Sequence, residues 1–219
     1  MKQDNIFLQS EGNAWYDRNK HSLSEKVQSD WPLGLIRRNK LKFNRVLEFG
    51  CSNGWRLSEL SDKGVELHGI DASEKAINEG KVLFPNLKLK YGEISAIKEP
   101  EKFDLIIVNF VLHWIDRENI FQILATLDSL LLDKGYLIVG DFCPMRPSRR
   151  RYHHLPDKDV WTWKQDYGGV FESTGMYQKL DSERFRHSES GEEKKITSGN
   201  DAACVLLQKN LGGLYAIEK

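Results

Sequence analysis

Glu48, Gly50, Gly54 and Asp71 are the residues whose types and spacing point most directly to chemistry. They lie in two short stretches, Val46-Leu-Glu48-Phe-Gly50-Cys51-Ser52-Asn53-Gly54 and Val65-Glu-Leu-His-Gly-Ile-Asp71. Each is an apolar run of the kind that makes a buried strand. The first runs straight into a glycine turn, followed by a segment of helical spacing, Trp55–Lys63. A strand, a tight turn and a helix start leave free backbone N–H groups aimed at one place, which suits a small ligand. Asp71 comes 21 residues after Gly50, where an acid is placed to accept hydrogen bonds from ribose hydroxyls. The pattern is that of a nucleoside-cofactor site.

The glycines narrow the choice of cofactor. A dinucleotide fingerprint wants glycines at the first, third and sixth positions of the turn, but Ser52 and Trp55 stand at the third and sixth here. A phosphate-cradling Gly-Lys-Ser/Thr sequence is missing as well. What remains, Glu48-x-Gly50-x-x-x-Gly54, resembles motif I of the class I S-adenosylmethionine-dependent methyltransferases. The usual form of that motif is acid-x-Gly-x-Gly-x-Gly, and Ser52 replaces the middle glycine. The resemblance runs from about Arg45 to Val139 through landmarks in the family's order. These are Gly69-Ile-Asp71-Ala72-Ser, Tyr91-Gly92-Glu93-Ile94, Phe103-Asp-Leu-Ile-Ile-Val-Asn109 with Val111-Leu-His113-Trp114, and Leu131-Leu-Asp-Lys-Gly135-Tyr-Leu-Ile-Val139. It implies S-adenosylmethionine as cofactor. Glu48, Gly50, Cys51, Ser52, Asn53, Gly54 and Asn109 would lie around it, Asp71 and Ala72 at the ribose, and Glu93 and Ile94 at the adenine.

The elements that must hold these residues alternate along the chain. Strands are expected near 45–49, 65–70, 86–91, 104–109 and 136–141, and helices near 54–63, 73–84 and 117–132. Ser73 is the N-cap expected for the second helix. Such alternation predicts an α/β fold, a Rossmann-like doubly wound sheet with helices on both faces. Ligands then bind at the carboxyl ends of the strands, where all the residues named above fall. Two extended runs near 177–188 and 201–208 fit the antiparallel closing pair that the family resemblance implies, with a reversed last strand. Ser188–Asn200 reads as a polar loop.

With 219 residues, 40% of them hydrophobic, the chain is most simply one domain over 1–219. Residues 1–40 would form an N-terminal helical cover and 142–175 a substrate-side insertion. The charge is balanced at 32 basic and 32 acidic residues, so nothing overall recommends nucleic acid. Three scattered cysteines without a Cys-x-x-Cys pair suggest reduced thiols and a cytoplasmic location. The N-terminus lacks the apolar stretch of a signal peptide. The longest apolar stretch, around Leu105–Ile115, is too short and too polar to span a membrane.

Acceptor recognition should lie outside the cofactor core. In the N-terminal segment, Tyr16 and Trp15 offer aromatic faces, and Arg18 could pair with the cofactor's methionine carboxylate. The second region starts directly after Asp141 and is long for a connection, so it should arch over the site. It packs four arginines, two histidines, two tryptophans and two tyrosines into residues 144–167. Arg149, Tyr152, His154 and Tyr167 are its candidate acceptor-binding residues, since arginines with stacking aromatics suit an anionic or sugar-bearing molecule. Adjacent His153 and His154 would point to opposite sides of an extended chain, and no metal-ligand spacing is present. If the acceptor is a hydroxyl, a base must take its proton. His113, His153 and Asp141 are the candidates.

Asn109 is followed by Phe110-Val111, unlike the Asn/Asp-Pro-Pro-aromatic motif of amide and base N-methyltransferases. Within the family the chain looks most like small-molecule methylases of bacterial surface-sugar and polysaccharide synthesis. The likeness is carried by Gly12-Asn-Ala-Trp-Tyr-Asp-Arg-Asn19, Cys51-Ser-Asn-Gly-Trp-Arg56, Gly140-Asp-Phe142, Tyr152-His-His154 and Asp166-Tyr167. It implies a sugar or nucleotide-linked sugar as acceptor. The rival readings are a methyltransferase of small carboxylic acids and a non-catalytic cofactor-binding partner protein.

Overall fold

The apolar runs become strands whose successive residues bury on opposite faces of one sheet. The computed structural model describes residues 2–23, 29–62, 64–94, 102–187 and 200–218. Its helices are α1 (Gln3–Ile6), α2 (Gly12–Leu23), α3 (Trp31–Arg38), α4 (Trp55–Ser58), α5 (Glu74–Leu83), α6 (Ile120–Leu130) and α7 (Tyr167–Glu172). Its strands are β1 (Arg45–Phe49), β2 (Glu66–Asp71), β3 (Lys88–Tyr91), β4 (Phe103–Asn109), β5 (Leu131–Phe142), β6 (Ser148–Arg151), β7 (Trp161–Lys164), β8 (Tyr177–Arg186) and β9 (Asp201–Lys209). Seven strands form one sheet in the order β3-β2-β1-β4-β5-β9-β8. Strands β3 to β5 in that order pair in parallel, and β9 is antiparallel to both β5 and β8. This is the doubly wound, Rossmann-like sheet that the alternating elements predict, with the reversed last strand that the family resemblance implies.

Leu47, Ile106, Val108, Leu137 and Val139 pack on one face with Leu124 and Leu127 of α6 and Phe171 of α7. Val46, Leu105, Ile107 and Ile138 pack on the other with Leu35 and Ile36 of α3 and Ile77 of α5. Burial on both faces explains why these strands read as continuous apolar runs. Side chains cap the helix starts, at α5 with the serine expected there and at α3 with an aspartate that was not. Ser73 Oγ accepts from the Ala76 N–H at 3.1 Å to cap α5, and Asp30 accepts from the Leu33 N–H at 3.0 Å to cap α3.

Several boundaries differ from the sequence expectation. The helix expected over 54–63 stops at Ser58, because the chain tightens into i→i+3 bonds from Glu59, Leu60 and Ser61 to Arg56, Leu57 and Ser58. The helix expected over 117–132 spans Ile120–Leu130. The insertion expected over 142–175 contains the antiparallel β6–β7 pair and α7. Ser148-Arg-Arg-Arg151 shows no alternation of its own, since all four residues are exposed. Its strand character comes from pairing with Trp161–Lys164, a partner that local sequence does not reveal. Of the polar stretch Ser188–Asn200, all but Asn200 lies outside the described residues. Among the described residues, no helix is long and apolar enough to cross a membrane.

The N-terminal helices lie across the carboxyl end of the sheet. A π-helical turn, Phe7–Glu11, joins α1 to α2, a distortion often found at functional sites. The Tyr91 hydroxyl donates to the Leu8 carbonyl at 2.8 Å, and the Ser73 hydroxyl donates to Asn13 Oδ1 at 2.9 Å. Gly12 sits so close to β2 that a Cβ there would lie 2.5 Å from the Ala72 carbonyl oxygen.

Candidate active site

A cavity of about 590 Å³ opens at the carboxyl ends of β1, β2 and β4. The turn after β1 forms its floor. Gly50 has φ +77°, and a Cβ there would lie 2.1 Å from Val111 Cγ2, so only glycine fits beside the chain that leaves β4. Ser52 also has a left-handed φ of +53°, a conformation disfavoured for residues with a side chain. The Asp71 carboxylate holds it there, with Oδ2 accepting from the Ser52 N–H at 2.8 Å and Oδ1 from the Ser73 N–H at 2.7 Å. Each oxygen has further acceptor capacity. Burial raises the Asp71 carboxyl above the usual range, while these two amides pull it back.

Of the residues expected around a cofactor, Gly50, Cys51, Ser52, Asp71, Ala72, Glu93 and Asn109 line the cavity. Gly140 makes room for Asn109, whose Oδ1 would be 2.0 Å from a Cβ at position 140. Asn53 and Gly54 shape the turn from behind. Asn53 Nδ2 donates to the Tyr16 hydroxyl at 3.2 Å, which ties α2 to the turn. Ile94 is fully buried in the core.

Glu48 lies beneath the turn as part of a buried charge cluster. Arg56 bonds Glu48 through Nη1 and Asp30 through Nε and Nη2, the latter at 2.9 Å. Asp30 and Arg56 also line the cavity. One guanidinium thus serves two carboxylates. Burial pushes the Glu48 carboxyl up to about 7, against the pull of Arg56. The folded state therefore keeps the Glu48 proton that the unfolded chain releases near 4.5. Stability from this group is full below pH about 4.5 and is lost as pH rises through about 7. Thermal melts should show the wild type losing ground to Glu48→Gln across that window. A gain with rising pH would contradict the assignment.

The structure corrects several other sequence expectations. Arg18 does not reach the cavity: its Nη2 is held by Glu11, on the turn before it, and donates to the Tyr152 hydroxyl at 3.0 Å. Tyr16 and Tyr152 are 1% and 4% exposed and pack as scaffold. Tyr167 is equally buried, donating to the Trp163 carbonyl at 2.8 Å and accepting from Arg117 at 3.0 Å. No residue of 142–175 lines the cavity. The insertion backs the wall instead, with Tyr152 against Phe7 and Trp114. Arg149 stacks on Trp161 and Trp163 at 4.3 and 5.3 Å on the exposed hairpin. His153 and His154 are exposed, and a turn brings their rings to 3.9 Å rather than splaying them apart. Among the described residues there is no group of three His, Cys, Asp or Glu able to hold a metal ion.

His113 and Asp141 form a buried pair, Nδ1 to Oδ1 at 2.8 Å, with the His113 and Phe142 N–H groups also donating to Asp141. Phe110, Trp114 and Phe142 enclose the imidazole, which is off the cavity wall. The pair fixes the chain that leaves β4. Phe7, Leu8, Gly12, Trp31, Phe110, Phe185, Arg186 and His187 also stand on the wall, none of them expected there from the motifs. Strand order explains the last three, because β8 ends at the same edge as β4 although about 75 residues separate them.

A family profile described as a methyltransferase domain matches residues 18–179. An uncharacterized methyltransferase of Staphylococcus carnosus is 36% identical over 100 residues, covering 44% of this chain and 46% of that protein. One from Alkaliphilus oremlandii is 27% identical over 96 residues, 44% of each. The chain thus matches about half the length of these curated relatives. In fold, it is similar to the Burkholderia thailandensis 1,6-didemethyltoxoflavin-N1-methyltransferase, solved with 1,6-didemethyltoxoflavin and S-adenosylhomocysteine. That likeness has a TM-score of 0.70 and 14% identity, covering 94% of this chain and 88% of the other. The N-methyltransferase NodS of Bradyrhizobium japonicum, solved with S-adenosylhomocysteine, matches with a TM-score of 0.58 and 14% identity over 95% of this chain and 99% of NodS.

Proposed function

The chain belongs to the methyltransferase-domain family, and on that premise we propose that it transfers the methyl group of S-adenosylmethionine to a small-molecule acceptor. The observation that carries this reading is the shared cavity, with Asp71 at one end and an aromatic wall at the other. The residues present fit the cofactor. Asp71 retains acceptor capacity for the ribose hydroxyls, Gly50 leaves room beside Val111, and the Ser52 hydroxyl is buried without a partner of its own. Asp71 and Ala72 would hold the ribose, and Glu93 with Ile94 beneath it the adenine. The turn Gly50–Gly54, with Glu48 under it and Asn109 opposite, would hold the methionine part. When bound, the cofactor supplies a methyl activated on a sulfonium. The protein's task is then to orient the acceptor and exclude water.

The N-terminal segment would close the site, with Phe7, Leu8 and Gly12 on its wall. In Gly12→Ala the new methyl would clash with the Ala72 backbone and lift α2. Calorimetry should show cofactor affinity reduced about tenfold, some 1.4 kcal/mol. Unchanged affinity would mean that α2 is not part of the closure. Residues 1–219 would work as one domain, with 1–40 as this cover and 142–175 as support.

The acceptor readings now rest on different groups. A sugar or nucleotide-linked sugar is supported by the aromatic wall, since the apolar face of a sugar ring stacks on aromatics. A small carboxylic acid is supported by Arg186 at the rim. Replacing Arg149, Arg150 and Arg151 together by alanine should leave transfer within about twofold, under 0.5 kcal/mol. A tenfold loss on an anionic acceptor would return those arginines to the site. The reading itself is tested by incubating the protein with methyl-labelled S-adenosylmethionine and a panel of pyranosides, nucleotide sugars, phenols and carboxylic acids. Label in a low-mass product supports it, and mild alkali then separates ethers from esters. Cofactor binding without any transfer would favour a non-catalytic partner protein.

A further inference from the structure

The two ends of the cavity are built of different chemistry. At the β1–β2 end, the glycine turn and Asp71 supply the polar groups, beneath Phe7 and Leu8 of the N-terminal segment. At the other end the wall is made of rings brought from three separate elements. Trp31 at the start of α3 stacks on Phe185 of β8, with centroids 5.1 Å apart and planes at 22°. Phe110, just beyond β4, meets Phe185 edge-on at 6.2 Å, and His187 lies against Phe110 at 4.4 Å. All four line the cavity.

Two further observations mark this wall as built for a ligand. Phe110 has φ +55°, a left-handed conformation that is costly for a bulky residue, so the surrounding structure holds its ring in place. Outliers of this kind cluster at ligand clamps. Trp31 leaves 39% of its surface exposed at the rim although its ring is stacked. Polar groups at this end are few and mostly committed. Asp30 and Arg56 are bonded to each other, to Glu48 and to the Leu33 amide. Asn109, Arg186 and His187 stand at the edges. A pyranose brings several hydroxyls, each costly to bury without a partner. A flat ring with one or two polar substituents asks for an apolar slot and a few placed polar groups, which is what this wall offers.

We propose that the acceptor is a planar aromatic or heteroaromatic molecule with one or two polar substituents, recognised by stacking among Trp31, Phe110 and Phe185 and by hydrogen bonding to His187. The proposal rests on the reading that places the cofactor at the β1–β2 end.

The test uses binding rather than turnover. The full chain is first saturated with S-adenosylhomocysteine, then titrated in a calorimeter with 4-nitrophenol, methyl α-D-glucopyranoside and succinate. 4-Nitrophenol should bind at least tenfold more tightly than either of the others. Trp31→Leu, at the rim and away from the core, and Phe110→Leu, which keeps apolar bulk, should each weaken it at least fivefold. Neither should change S-adenosylhomocysteine affinity by more than twofold. Preferred binding of the glucoside or succinate, no binding of any probe to the loaded protein, or indifference to both substitutions would overturn the proposal. Failure of S-adenosylhomocysteine to bind would instead bring down the cofactor reading, and this proposal with it.

Discussion

Asp71→Ala weakens S-adenosylmethionine binding by about 100-fold, as calorimetry would read it. The carboxylate ends β2 and lines the cavity, placed to accept from a ribose. Two hydrogen bonds to a charged acceptor contribute about 1.5–3 kcal/mol each, and losing roughly 3 kcal/mol of the total is two orders of magnitude in affinity. Part of the effect is indirect, because Asp71 also holds the Ser52 and Ser73 amides. Asp71→Asn separates the two contributions. Its carbonyl oxygen keeps one acceptor, so its loss should be nearer tenfold, about 1.4 kcal/mol. Equal affinity in wild type and both variants would remove Asp71 from the site.

Arg56→Ala should lower stability by about 3–5 kcal/mol near neutral pH, the usual consequence of stripping the counter-charge from a buried pair. Glu48 is fully buried and Asp30 nearly so, and without Arg56 both carboxylates lose the guanidinium that bonds them. The loss should shrink as pH falls through about 7, where Glu48 in the folded wild type takes up its proton and no longer needs the guanidinium. Arg56→Lys should not restore the wild type, because a single ammonium cannot make the forked contacts to two acids. Denaturant melts at pH 5 and pH 8 check both points. A loss of under 1 kcal/mol at pH 8 would mean that the cluster contributes little to the fold.

Much of this arrangement was legible in the sequence because it depends on local chemistry. Gly50 and Gly54 announce a turn through conformations that other residues avoid, and Ser73 announces a helix start through its hydroxyl. The parallel strands announce themselves by burying both faces. What was not legible depends on pairings across long sequence separations. Arg18 looked available for a carboxylate until the π-turn placed Glu11 beside it. His113 looked exposed to the site until Asp141, 28 positions later, captured it. Arg149, Arg150 and Arg151 come soon after strand five, yet their pairing with Trp161–Lys164 carries them away from the cavity. Conversely, Trp31, Phe185 and His187 carry no motif. Only the sheet order brings them beside Phe110.

The most direct test of the central claim is a calorimetric titration of the purified wild-type chain with S-adenosylmethionine, S-adenosylhomocysteine and NADH. One-to-one binding of the first two and none of the third is expected, since Ser52 and Trp55 stand where a dinucleotide needs glycine. A folded protein that binds none of them, or that prefers NADH, would contradict it.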